Sequence, residues 1–109
     1  FNLYLLSAPS ASLRLNKSEK MKFHPGKIWL DTDGQPIQAH GGGILLHDGV
    51  YYWYGENKSA PNVSGTQRVD VIGVSCYSSR DLFQWKHEGV VLPAVLDENH
   101  DLHPRNVLE

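Results

Sequence analysis

The side chains with chemistry to offer are carboxylates and imidazoles, and their spacing sorts them into a few sets. Glu56 closes the aromatic run Tyr51-Tyr52-Trp53-Tyr54-Gly55. A carboxylate there can accept hydroxyl hydrogen bonds or activate a water, or it can be an ordinary solvated glutamate. His40 stands before Gly41-Gly42-Gly43 and can either bond a hydroxyl or secure the entrance of a strand. A phosphate loop would need a following helix. None is expected here, so the glycines are read as allowing close backbone approach. His100 and His103 flank Asp101 and are of metal-binding type, but no convincing third ligand accompanies them, and no metal or other cofactor is expected. Asp31-Thr32-Asp33-Gly34 starts like a calcium loop, but without the third acidic position and terminal glutamate it is read as a turn. Cys76 is the single cysteine; it cannot form an internal disulfide and is expected as a small buried apolar residue. Asn16, Asn57 and Asn62 each open an Asn-x-Ser triplet, which matters only in a chain secreted by a eukaryote.

These residues must be positioned by a small scaffold. The chain has 109 residues, 10 basic against 12 acidic and a net charge of −2, which suits one domain and carries no basic footprint for nucleic acid. No apolar stretch approaches the ~20 residues of a bilayer-crossing helix, so neither nucleic acid nor membrane is expected as a partner. Residues 1–22 differ in kind from the rest: an apolar run, then Ser/Ala/Pro, then polar residues, with Met21 a natural start. They read either as the tail of a secretory signal, small residues after an apolar core, or, as favoured, as a disordered or spurious segment. Either way they are set aside, and residues 23–109 are read as the N-terminal part of a larger β domain.

Within that part, Asp48-Gly49 separates Gly42–His47 from Val50–Gly55 as a two-residue hairpin. Glu56–Arg68 reads as a long polar loop, Val69–Tyr77 as a third strand, and Ser78–Asp81 as a turn. Gln84–Leu92 reads as a fourth strand, Pro93–Arg105 as a loop, and Asn106–Glu109 as the start of a fifth strand. The pattern predicts an all-β antiparallel meander. Its apolar residues on both parities predict a sheet covered on both faces, as in a propeller blade, with an open sandwich or barrel as the alternative. Such a meander brings His40, Glu56, Arg68, Asp70, His103 and Glu109 to one edge. His47, Asp48, Ser79, Arg80 and Asp81 gather at the other. Tyr52, Trp53 and Tyr54 can offer a ring-stacking face, although core packing is expected for at least two of them.

Three segments together, Gln38-Ala39-His40-Gly41-Gly42-Gly43, Tyr51-Tyr52-Trp53-Tyr54-Gly55-Glu56 and Tyr77-Ser78-Ser79-Arg80-Asp81-Leu82 with Trp85, resemble the first blade of glycoside hydrolase family 43. This family has a five-bladed β-propeller, and the similarity is greatest to its exo-β-1,3-galactanase-like branch. The resemblance implies that residues 23–109 are the N-terminal part of a glycosidase propeller domain, one acting on β-linked galactosides or related plant polysaccharides by inversion, with an oligo- or polysaccharide as partner. It also implies sugar-contacting roles for Glu56, His40 and Glu109, Glu56 in support of catalysis, and a general acid in a later blade beyond Glu109. Most members of the family carry an aspartate base where this sequence reads Ala39-His40-Gly41. That departure keeps open a propeller that binds carbohydrate without cleaving it, or a purely structural blade.

Overall fold

The computed structural model describes residues 22–106. They form one four-stranded sheet in the order β1-β2-β3-β4, every neighbouring pair antiparallel. The strands are β1 (His40–His47), β2 (Val50–Asn57), β3 (Gly73–Ser79) and β4 (Lys86–Pro93), and the described residues include no helix. Asp48 and Gly49 join β1 to β2 with φ angles of 49° and 76°. Those values belong to the mirror-image turn whose twist matches a hairpin, which is why Asp-Gly is favoured there.

Boundaries move in all four strands; β3 runs on to Ser79, and β4 spans Lys86–Pro93 in place of the expected Gln84–Leu92. β1 begins at His40, two residues early, through a bulge: His40 pairs with Glu56 and Gly43 with Tyr54, leaving one extra residue on β1. Gly41 takes a φ of 58°, the left-handed backbone that such a bulge demands and glycine supplies. β2 runs on through Glu56 to Asn57. β3 starts only at Gly73, because Val69 instead pairs with Asn62 inside the loop. Asn106 lies in a turn, and the remainder of the expected fifth strand, Glu109 included, lies outside the described residues. The 1–22 segment does too, apart from Lys22.

The core sits on one face. Trp85 and Tyr77 are 1% and 2% exposed and pack with Ala39, Trp53, Tyr51, Ile37 and Leu82. Trp53 meets Trp85 edge-on at 5.2 Å between ring centres and Trp29 at 5.8 Å. The arm from Phe23 to Ala39 therefore closes over part of this face. Gly55 permits that closure, since a Cβ there would collide with the backbone of Ala39. β1 is bare, with Ile44 and Leu46 on this face and Leu45 on the other all more than half exposed, whereas β3 stays buried through Ser75, Cys76 and Ser79. Among the described residues, then, one face is partly covered and the other is buried only around Cys76.

Candidate functional site

The expected polar edge is assembled as the meander requires. His40 and Glu56 are direct cross-strand partners, and Glu56 faces Val74 on its other side. Tyr54, two residues before Glu56, shares its face. The carboxylate oxygen Oε2 of Glu56 is buried and has no hydrogen-bond partner among the described residues. A buried, unpaired carboxylate oxygen is costly in a folded protein and calls for a specific reason.

Asn57 follows on the opposite face. It is 6% exposed; its amide donates to Ser75 Oγ at 2.9 Å, and its Oδ1 accepts from the Ser59 backbone at 3.0 Å. The side chain that opens this Asn-x-Ser triplet is therefore engaged inside the sheet. Arg68 joins the two long loops at the same edge. Its guanidinium donates to Asp70 at 3.1 Å and to the Pro104 carbonyl at 2.8 Å. That contact draws His103 and Arg105, the neighbours of Pro104, toward the edge.

Gln38, which the sequence marks only as the start of its glycine-rich segment, links three parts of this edge. Its side-chain oxygen accepts from His40 Nε2 at 3.1 Å and from the Lys58 backbone at 3.2 Å, while its own backbone N–H donates to the buried Tyr77 hydroxyl at 2.9 Å. The available signal was the i, i+2 spacing to His40, which puts two side chains of an extended chain on one face.

Other candidates resolve differently. Asp31 is engaged by its own turn, with Oδ1 accepting from the Asp33 and Gln35 backbones at 2.8 and 3.0 Å. His100 and His103 each use Nδ1 to accept a backbone N–H two residues on. No group of three or more potential metal ligands occurs among the described residues. Trp53 is core, whereas Tyr54 is half-exposed beside Cys76. The hydrogen bond to that thiol pushes the Tyr54 phenol pKa up, and burial pushes the Cys76 thiol up. Of the glycine triplet, Gly42 bears the close approach: a Cβ there would strike the Tyr54 carbonyl.

The fold and this edge are those of a four-stranded antiparallel meander whose loop-bearing end sets a carboxylate and an imidazole on facing strand positions. No family model and no curated protein matches the chain. Solved structures do. A family 43 β-1,3-galactosidase bound to galactodeoxynojirimycin is 48% identical over 72% of this chain and 21% of its own, with a TM-score of 0.60. An exo-β-1,3-galactanase from Clostridium thermocellum is 42% identical over 71% of this chain and 15% of its own, TM-score 0.54. A variant exo-β-1,3-galactanase from Phanerochaete chrysosporium, solved with β-1,3-galactotriose, is 35% identical over 72% and 17%, TM-score 0.59. The chain spans about a fifth or less of the length of these structures. It belongs to glycoside hydrolase family 43, and its sheet is the first blade of that family's five-bladed propeller.

Proposed function

We propose that the protein built on this blade hydrolyses β-linked galactosides of the β-1,3-galactan kind, with inversion, and that Glu56, His40 and Glu109 contact the sugar. The observation that carries this reading is the buried, unpartnered Oε2 of Glu56 directly across from His40. A sugar is rich in O–H donors, and an ionised carboxylate only accepts. Galactodeoxynojirimycin and β-1,3-galactotriose bound in similar structures support a galactose-type ring. Inversion needs one carboxyl to protonate the leaving oxygen and a second, ~6.5–9.5 Å away, to activate water. Glu56 is assigned neither proton; it holds hydroxyls so that the ring meets a general acid from a later blade. Ala39-His40-Gly41, in place of the usual aspartate, favours carbohydrate binding without cleavage as the second reading. Release of galactose from β-1,3-galactan by the intact protein separates the two.

Hydrogen bonds to a charged group contribute ~1.5–3 kcal/mol, and ~1.4 kcal/mol is tenfold in rate. Glu56→Gln in the intact protein is therefore expected to lower kcat/KM at least ~10-fold while Tm barely moves, because an edge glutamate supports little core. Full activity in that variant would sink the assignment of this edge, and His40 and Glu109 with it.

A further inference from the structure

We infer that Gln38 is a positioning residue that holds His40 as the Nε2–H tautomer and so leaves Nδ1 as the acceptor of that ring. The functional consequence rests on the sugar-site reading above; the tautomer does not.

A backbone N–H can only donate. The Lys58 N–H points at the Gln38 carboxamide from 3.2 Å, so the atom it meets is the oxygen; a flipped amide would set donor against donor. The same oxygen lies 3.1 Å from His40 Nε2. Because that oxygen cannot donate, Nε2 must, and a neutral imidazole carries a single ring hydrogen. Nδ1 is then bare. The amide is itself braced, because the Gln38 backbone N–H is anchored on the hydroxyl of Tyr77, which is 2% exposed in the core. The chain of constraint runs from the core through Gln38 to His40, whose strand entrance is set by the Gly41 bulge.

Across from His40 stands Glu56, acceptor-only when ionised. The pair then carries two acceptors and no donor besides the N–H already bonded to Gln38, a chemistry suited to hydroxyl donors of a sugar ring. A tautomer flip would replace one of those acceptors with a donor.

The test uses the intact protein labelled with ¹⁵N-histidine, with His40 assigned by the signal lost in His40→Asn. Long-range ¹H–¹⁵N spectra at about pH 8.5, above the ordinary imidazole pKa of ~6.5, should show a protonated Nε2 and a bare Nδ1. Gln38→Leu, and the closer-shaped Gln38→Met, should give averaged tautomer shifts. Gln38→Glu keeps the acceptor and should retain the wild-type pattern. On a β-1,3-linked galactobiose, Gln38→Leu and Gln38→Met should lose about three- to tenfold in kcat/KM, the size of a neutral hydrogen bond, and Gln38→Glu should recover most of it. A wild-type His40 protonated at Nδ1, or spectra unmoved in both Leu and Met variants, overturns the inference. If those spectra move while Glu56→Gln stays fully active, the sugar-site reading falls and the tautomer control stands. If they do not move while Glu56→Gln is crippled, the reverse holds.

Discussion

The two ends of the sheet are held by different kinds of bond. At the hairpin end, the bonds around Asp81 are short in sequence, and the arm adds two from afar, Trp29 Nε1 donating to the Phe83 carbonyl at 3.2 Å and the Thr32 N–H to the Trp85 carbonyl at 2.9 Å. Asp81 accepts from the Phe83 and Gln84 backbones at 2.9 Å each and from the Ser79 hydroxyl at 3.0 Å. Ser79 Oγ in turn accepts the Leu82 N–H, holding Leu82 at a φ of 65°, which a leucine seldom adopts. Trp85 then folds back and donates to the Leu82 carbonyl. At the other end, the bonds span the chain: Gln38 to Tyr77, Lys58 to Gln38, Asn57 to Ser75, Arg68 to Pro104. The hairpin end engages the polar groups of its Ser79–Trp85 turn within the turn and against the arm. The loop end, secured from a distance, can leave a carboxylate oxygen buried and unpaired.

The largest effect should come from the hairpin end. Trp85→Ala removes a side chain that is 1% exposed and packed against Trp53, and is expected to cost ~3–5 kcal/mol of stability. Denaturant unfolding of the intact protein measures this, and the remaining turnover should follow the folded fraction. Turnover lost with stability intact would place chemistry at the wrong end of the sheet.

Asp81 is next. Burial raises its pKa, but the backbone N–H groups of Gln84 and Phe83 and the Ser79 hydroxyl outweigh burial and leave it lowered. A lowered native pKa means that its contribution is present above the unfolded value, ~3.9, and is lost as pH falls through the native value. Asp81→Asn should lower Tm by about 2–4 °C at neutral pH, flatten the decline of Tm below about pH 4, and leave kcat/KM within about twofold. Acid limbs that run parallel in the two proteins would remove Asp81 from this account.

The smallest effect is predicted for His100→Ala combined with His103→Ala. Their rings only brace loop turns, so kcat/KM should change by less than about threefold, one weak hydrogen bond's worth. A larger loss that added zinc or calcium modulates would reveal a metal role at the loop end.

Much of the site was legible because meander topology is itself legible. Asp48-Gly49 sets a two-residue turn, and once β1 and β2 are a hairpin, His40 and Glu56 must fall near each other. The Ser79-Arg80-Asp81 turn could be read for the same reason, since its bonds reach only two or three residues. The β3 start could not. Val69 and Val71 have strand character, but the Asn62–Val69 bridge closes a small hairpin within the loop and leaves Gly73 to begin the sheet. The bulge at Gly41 was likewise hidden, because a glycine triplet does not say which member will turn left-handed.

What the sequence alone determined is the order of strands, the hairpin turn and which residue types share an edge. These follow from side-chain periodicity and turn chemistry, which act over a few residues. Only the tertiary structure decided which polar atoms at that edge are occupied. Gln38, Tyr77, Lys58 and His40 meet through bonds between segments as far as 39 residues apart, and neither residue type nor spacing specifies which nitrogen faces which oxygen. The unpaired oxygen of Glu56 belongs to the same class. A hydrogen bond requires approach to about 3 Å and a particular direction, and those are set by how the arm, the bulge and the loops pack together.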